Sequence, residues 1–154
     1  MKTSSLGFQE DTIIAKVDIA RIQLERSVSL FIQGDYISAV TLSGAAEAIL
    51  AGLLSEERTA SAVEDSTQAI RRIEENLGIN AMNGLKDHEI YKKWNDARNN
   101  FKHHRRGDAA IITVNLFDES YWMIKRALEN SRKLDVKITN HDDFENWVIV
   151  NICM

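Results

Sequence analysis

An all-α fold, an up-and-down bundle of four to five main helices with a short C-terminal element, follows from three properties of this sequence. There is no proline, so nothing inside a periodic segment forces a break. Apolar residues recur at helical spacing along five long stretches. Short glycine-containing or polar turns separate those stretches. A chain of 154 residues, 44% hydrophobic and 27% charged, can bury a substantial core, and no repeat, linker or low-complexity segment divides it. Residues 1–154 therefore read as a single domain.

The first helix is predicted from Asp11 to Gln33, with Ile14, Val17, Ile22, Leu24, Val28 and Phe31 as its apolar face and Gly34 as its stop. Asp35 caps the second, which extends to Leu54. The third runs from Ser61 to Leu77; Ser61 and Glu64 have capping-box spacing and Gly78 follows the end. It is polar and peripheral. A loop around Asn80 to Gly84 leads to a fourth helix, Asp87 to His103, which ends in a basic stretch before Gly107. Asp108 opens a long fifth helix to Leu134 carrying Ile111, Ile112, Val114, Leu116, Tyr121, Trp122, Ile124 and Leu128. The tail DDFENWVIVNICM fits a helix or a strand; a helix is preferred because Asp142 can cap it. Trp94, Trp122 and Trp147 all fall in apolar patterns, which suits packing better than base stacking.

The start of the chain has no basic segment followed by an apolar one, and no apolar run is long enough to span a bilayer without interruption. The expectation is a cytoplasmic protein without membrane partners. Cys153 is the only cysteine, so an internal disulfide or cysteine-rich metal site is excluded. His88 and His141 lie beside acids, but no His-x-x-x-His or carboxylate pair completes a metal set, and no phosphate-cradling glycine loop or nucleophile elbow occurs. No metal and no cofactor is expected. The net charge of −4 argues against a surface that coats nucleic acid wholesale. From Lys92 to Arg106, however, six basic residues face one acid, Asp96. That concentration of positive charge suits a phosphate-bearing ligand, and it equally suits a solvated helix face.

The second helix contains a misfit. Tyr36, Val40, Ser43, Glu47, Leu50 and Leu54 share one face, with Ala39, Leu42, Ala46, Ile49 and Leu53 beside it. Glu47 is thus a carboxylate within an apolar stripe, and it needs a cation or several donors to be buried there. Small neighbours, Ser43, Gly44, Ala45, Ala46 and Ala48, let another helix come close. Glu47 either ties two helices together through an ion pair or orients a catalytic Arg or His; Arg98 is the best partner.

The segment RNNFKHH supplies Arg98, Asn99, Lys102, His103 and His104. With ten Arg and four His in the chain, such a spacing arises about once by chance, so the surroundings must decide. GDYISAVTLSGAAEAILAGLL, followed some forty residues later by NDARNNFKHH, resembles the HEPN superfamily of small helical nucleotide-binding and ribonuclease domains. The resemblance spans Gly34 to Leu134. The family motif, an Arg followed by a polar residue and then a His four to six positions on, is matched by Arg98, Asn99 and His103, with His104 also in range. The resemblance implies a two-fold dimer that joins two motifs, often metal-independent RNA cleavage, and in many members a nucleotidyltransferase-type antitoxin; other members only bind nucleotide, RNA or protein. In toxins silenced by nucleotidylation a tyrosine stands two positions after the motif histidine. Here that position is Arg105, so the resemblance does not extend to that silencing.

The chemistry is coherent. A base must take the 2′-hydroxyl proton, an acid must protonate the leaving 5′-oxygen, and a cation must stabilise charge on phosphorus. His103 suits the proton transfers, Arg98 the phosphate, and Asn99 either fixes the histidine tautomer or contacts phosphate, or has only a capping or solvent role. Lys102, His104, Arg105 and Arg106 form the expected RNA-binding end. A homodimer would place two histidines and two arginines around one phosphate. On one continuous helix Arg98 and His103 would point about 140° apart. Either the helix ends near Phe101, or the arginine reaches round, or the pair forms across the dimer.

Overall fold

The computed structural model describes residues 10–154 and is all helical. The reading of the first residues as carrying no leader falls largely on residues 1–9, outside the described residues. Seven helices are present among the described residues: α1 (Lys16–Ile32), α2 (Tyr36–Glu56), α3 (Ala62–Leu77), α4 (Asp87–Trp94), α5 (Asp96–Lys102), α6 (Leu116–Lys133) and α7 (His141–Asn151). The count exceeds the expected four or five main helices because the predicted fourth helix is two, and because the C-terminal element is a full helix of 11 residues.

Three long helices, α1, α2 and α6, build the centre. Gly34, at φ +85°, turns α1 into α2, and Asp35 accepts a hydrogen bond from the Ser38 N–H at 3.1 Å, as the sequence indicates. α1 and α2 pack closely because small hydroxyls lie between them. Ser27 and Ser43 both donate to the Ala39 carbonyl, at 2.8 and 2.6 Å, so their burial leaves no orphaned hydroxyl. Among the described residues α2 alone is long and apolar enough by composition to cross a membrane, and it is the central helix of the bundle.

α7 covers the far end of α1. Phe144 is fully buried with its ring centroid 5.3 Å from that of Phe31, and Trp147 meets the same ring edge-on at 4.9 Å. Glu25 of α1 accepts from the Thr139 N–H and hydroxyl at 3.0 and 2.9 Å, fixing the entry to α7. Its N-cap is Asn140; Asp142, the expected cap, is in the first turn.

α3 begins with the predicted capping box of Ser61 and Glu64 and ends at Gly78, φ +62°. It is peripheral, but its N-terminus is anchored: the fully buried Asn130 of α6 accepts the Ala62 N–H at 2.7 Å. Arg71 and Glu74 fasten the loop that follows, through Leu85 and Met82.

Three expectations are corrected. α1 starts at Lys16, and Ile14 and Ile22 are exposed. The last long helix starts at Leu116, capped by Asn115, rather than at Asp108. Asp108 instead accepts the Arg105 N–H in a turn around Gly107, φ +96°, and Ile111 and Ile112 are exposed, since consecutive β-branched residues favour helix poorly. Finally, Trp122 is 61% exposed and rests edge-on against Tyr121, so it does not belong to the core.

Candidate functional site

The face of α2 read from the sequence is buried from Val40 through Ser43, Glu47 and Leu50 to Leu54. Glu47 keeps only 5% of its surface exposed, so its charge must be answered inside the protein. Two cations answer it. Arg98 Nη1 of α5 donates to Glu47 Oε2 at 3.1 Å, and Arg126 Nη2 of α6 lies 3.3 Å from Oε1. The carboxylate thus joins three helices.

Gly44 makes the approach of α5 possible. A Cβ at this position would lie within 2.5 Å of Arg98 Cγ and closer still to Cδ, so the arginine stem crosses α2 where a side chain is missing. From there Nη1 also reaches the Gly44 carbonyl at 3.3 Å. Burial pushes the Arg98 guanidinium below its ordinary pKa; the Glu47 charge opposes that shift and Arg126 adds to it. The group remains a cation at neutral pH. Nη2 has no hydrogen-bond partner among the described residues, whereas Nε is buried and unpartnered.

α4 and α5 are separate because Arg126 intervenes. Its Nη1 donates to the Trp94 carbonyl at 3.2 Å and its Nη2 to Asn95 Oδ1 at 2.8 Å, at the residue that ends one helix and opens the next. α5 then stops at Lys102. His103 is extended (φ −133°, ψ 139°), and its N–H donates to the Asn99 carbonyl at 3.1 Å. The helix does end near Phe101, one residue beyond it, so Arg98 and His103 do not lie on one continuous helix.

The expected site residues therefore fall into two groups. Glu47 and Arg98 are together and mostly buried. Asn99, Lys102, His103, His104, Arg105 and Arg106 form an exposed basic run beyond them. Among the described residues no hydrogen bond joins His103 to Arg98 or to the Asn99 side chain, so Asn99 does not fix the imidazole within one protomer. His88 is exposed in the first turn of α4, and His141 lies 3.4 Å from Glu145, which also pairs with Lys125. No group of three His, Cys, Asp or Glu side chains that could hold a metal is found among the described residues. A hollow of about 420 Å³ lies elsewhere, at the α6–α7 junction beside Asp135, Thr139 and His141.

Arg126 was not singled out by sequence, yet its pattern matches that of Glu47. It stands among Met123, Ile124, Ala127 and Leu128 on the buried side of α6, a charge within an apolar stripe. Pairing the two misfits would have found it. Compared with protein-family models, curated proteins and solved structures, the chain matches none.

Proposed function

We propose that this chain is a metal-independent endoribonuclease of HEPN type, a cytoplasmic toxin or defence component that works as a homodimer with Arg98 and His103 at the dimer cleft. The observation that carries this reading is the junction at the end of α5. Glu47 holds Arg98 from behind at 3.1 Å, and the helix stops before His103, which leads an exposed run of basic residues. One histidine takes the 2′-hydroxyl proton, and the freed oxygen attacks phosphorus. The second, from the other protomer, protonates the departing 5′-oxygen, leaving a 2′,3′-cyclic phosphate. Arg98 supplies charge to the phosphate oxygens, and Lys102, His104, Arg105 and Arg106 bind the flanking backbone.

The test is single-turnover cleavage of end-labelled RNA in EDTA. The parent should cut, His103→Ala should lose at least about a hundredfold, and His104→Ala far less. Arg98→Lys should also fail, because an ammonium cannot serve Glu47, the Gly44 carbonyl and a phosphate as a guanidinium does. A monomer that cuts as well as the dimer would remove the two-histidine scheme.

A second reading, a non-catalytic module that binds nucleotide, RNA or a protein partner, is favoured by one detail. Arg98 Nη1 is already committed to Glu47 and Gly44, and the side chain is only 14% exposed, so little of the guanidinium fork is left for a phosphate. RNA binding without cleavage, unchanged in His103→Ala, would select this alternative.

A further inference from the structure

We propose that Arg126 is a positioning residue for Arg98: it fixes the Glu47 carboxylate from the opposite side and sets the direction in which α5 leaves Asn95. The effect on cleavage rests on the ribonuclease reading; the positioning itself does not. Glu47 has two oxygens and divides them. Oε2 takes Arg98 and Oε1 faces Arg126 at 3.3 Å. The terminal torsion of a glutamate is soft, so a carboxylate held at one oxygen can swing and carry its partner with it. Held at both, it cannot.

Arg126 is itself well anchored. Its side chain is 13% exposed, Nη1 is bound to the Trp94 carbonyl and Nη2 to Asn95 Oδ1 as well as lying against Glu47. The same guanidinium that steadies Glu47 therefore grips the Trp94 carbonyl and the Asn95 side chain where α5 begins, four and three residues before Arg98. Position and direction of Arg98 are set by one group.

The test uses the full chain labelled with 15N-arginine. The Arg98 Nε–H resonance, identified by its loss in Arg98→Lys, should be sharp and slow to exchange, since that nitrogen is buried. In Arg126→Met, which keeps a long apolar stem, it should move to the position of solvated arginines and exchange quickly, while the resonance of Arg71, paired with Glu74 in α3, stays in place. Arg126→Lys retains a cation but cannot span three acceptors; it should give an intermediate shift and serves if the methionine variant does not fold. In single-turnover cleavage Arg126→Met should lose at least about tenfold in the chemical step, with RNA affinity changing much less. An Arg98 resonance that does not move, or that moves only together with that of Arg71, overturns the proposal. A parent that cuts no RNA sinks the ribonuclease reading and leaves the resonance measurement to decide this one.

Discussion

Replacing Gly44 and Gly52 by alanine, one at a time, should move stability in opposite directions although both glycines lie inside α2. Alanine is favoured over glycine in a helix interior by about 0.8–1.0 kcal/mol. At Gly52 a new Cβ meets nothing within 4 Å, so the whole gain is kept. For a chain of this size that corresponds to roughly 2–4 °C in Tm. At Gly44 the Cβ falls 2.5 Å from Arg98 Cγ, against an ordinary carbon contact of about 3.5 Å, so the arginine stem must retreat by about 1 Å. Nη1 then leaves Glu47 and the Gly44 carbonyl. Removing one partner of a buried pair costs about 3–5 kcal/mol. Arg126 still faces Glu47 and Arg98 is displaced rather than deleted, so the loss should be nearer 2–3 kcal/mol (order of magnitude), and about 1–2 kcal/mol after the alanine gain. Thermal unfolding followed by circular dichroism reads both variants. In an Arg98→Ala background the collision is gone, and Gly44→Ala should stabilise like Gly52→Ala. If Gly44→Ala raises Tm in the parent background, Arg98 does not cross α2 at this glycine and the three-helix cluster is misassigned.

Asn130→Ala should cost about 1–3 kcal/mol in chemical denaturation, because it strands the buried Ala62 N–H at the start of α3; an unchanged midpoint would mean that water replaces the amide. The Met82 N–H, with help from Arg71, holds the Glu74 carboxyl below the usual carboxylate range, against a smaller opposing effect of burial. The stabilisation it gives is complete above the ordinary glutamate range and is lost as pH falls through the lowered value, so protection of the Met82 amide from hydrogen exchange should survive mild acid and vanish in stronger acid. Burial raises Glu119, with Asp118 and Asp96 adding to the shift and Arg126 opposing it, so its ionisation weakens the fold as pH rises. Glu119→Gln should therefore be more stable than the parent at neutral pH and equal to it in acid; the opposite order would show that Arg126 dominates at this carboxyl.

The parts of the fold that depend on local chemistry were legible in the sequence. Asp35, Ser61 with Glu64, Gly34 and Gly78 act where their residue types act in general, and the α2 stripe fixed which side of Glu47 faces inward. Arg98 followed as its partner because a buried carboxylate needs a cation. The break at Asn95 was not legible, since its cause is Arg126, 31 residues away in sequence. The start of α6 was misread for a different reason. Ile111, Ile112 and Val114 fit a helical period, but they lie in a β-branched run, and the polar cap at Asn115 with Asp118 three residues on was the better signal. Period alone cannot separate an apolar helix face from an exposed extended segment. How His103 stands to Arg98 also lay beyond the sequence, because it turns on where α5 frays.

The fastening of α7 to α1 has a consequence for the order of events during synthesis. α1 and α2 adjoin in sequence, so their hairpin can close as soon as both have left the ribosome. Its end face, centred on Phe31, meets Tyr36 within the hairpin, but Phe117 of α6 and Phe144 and Trp147 of α7 come from far downstream, and the Glu25 carboxylate waits for Thr139, a partner 114 residues on. At about 5–20 residues per second, that interval leaves the aromatic surface incompletely covered for roughly 6–23 seconds. A nascent chain in this state presents the same sticky face on every copy. A chaperone that shields it, or a slow start that keeps nascent chains apart, would limit association between copies during that interval.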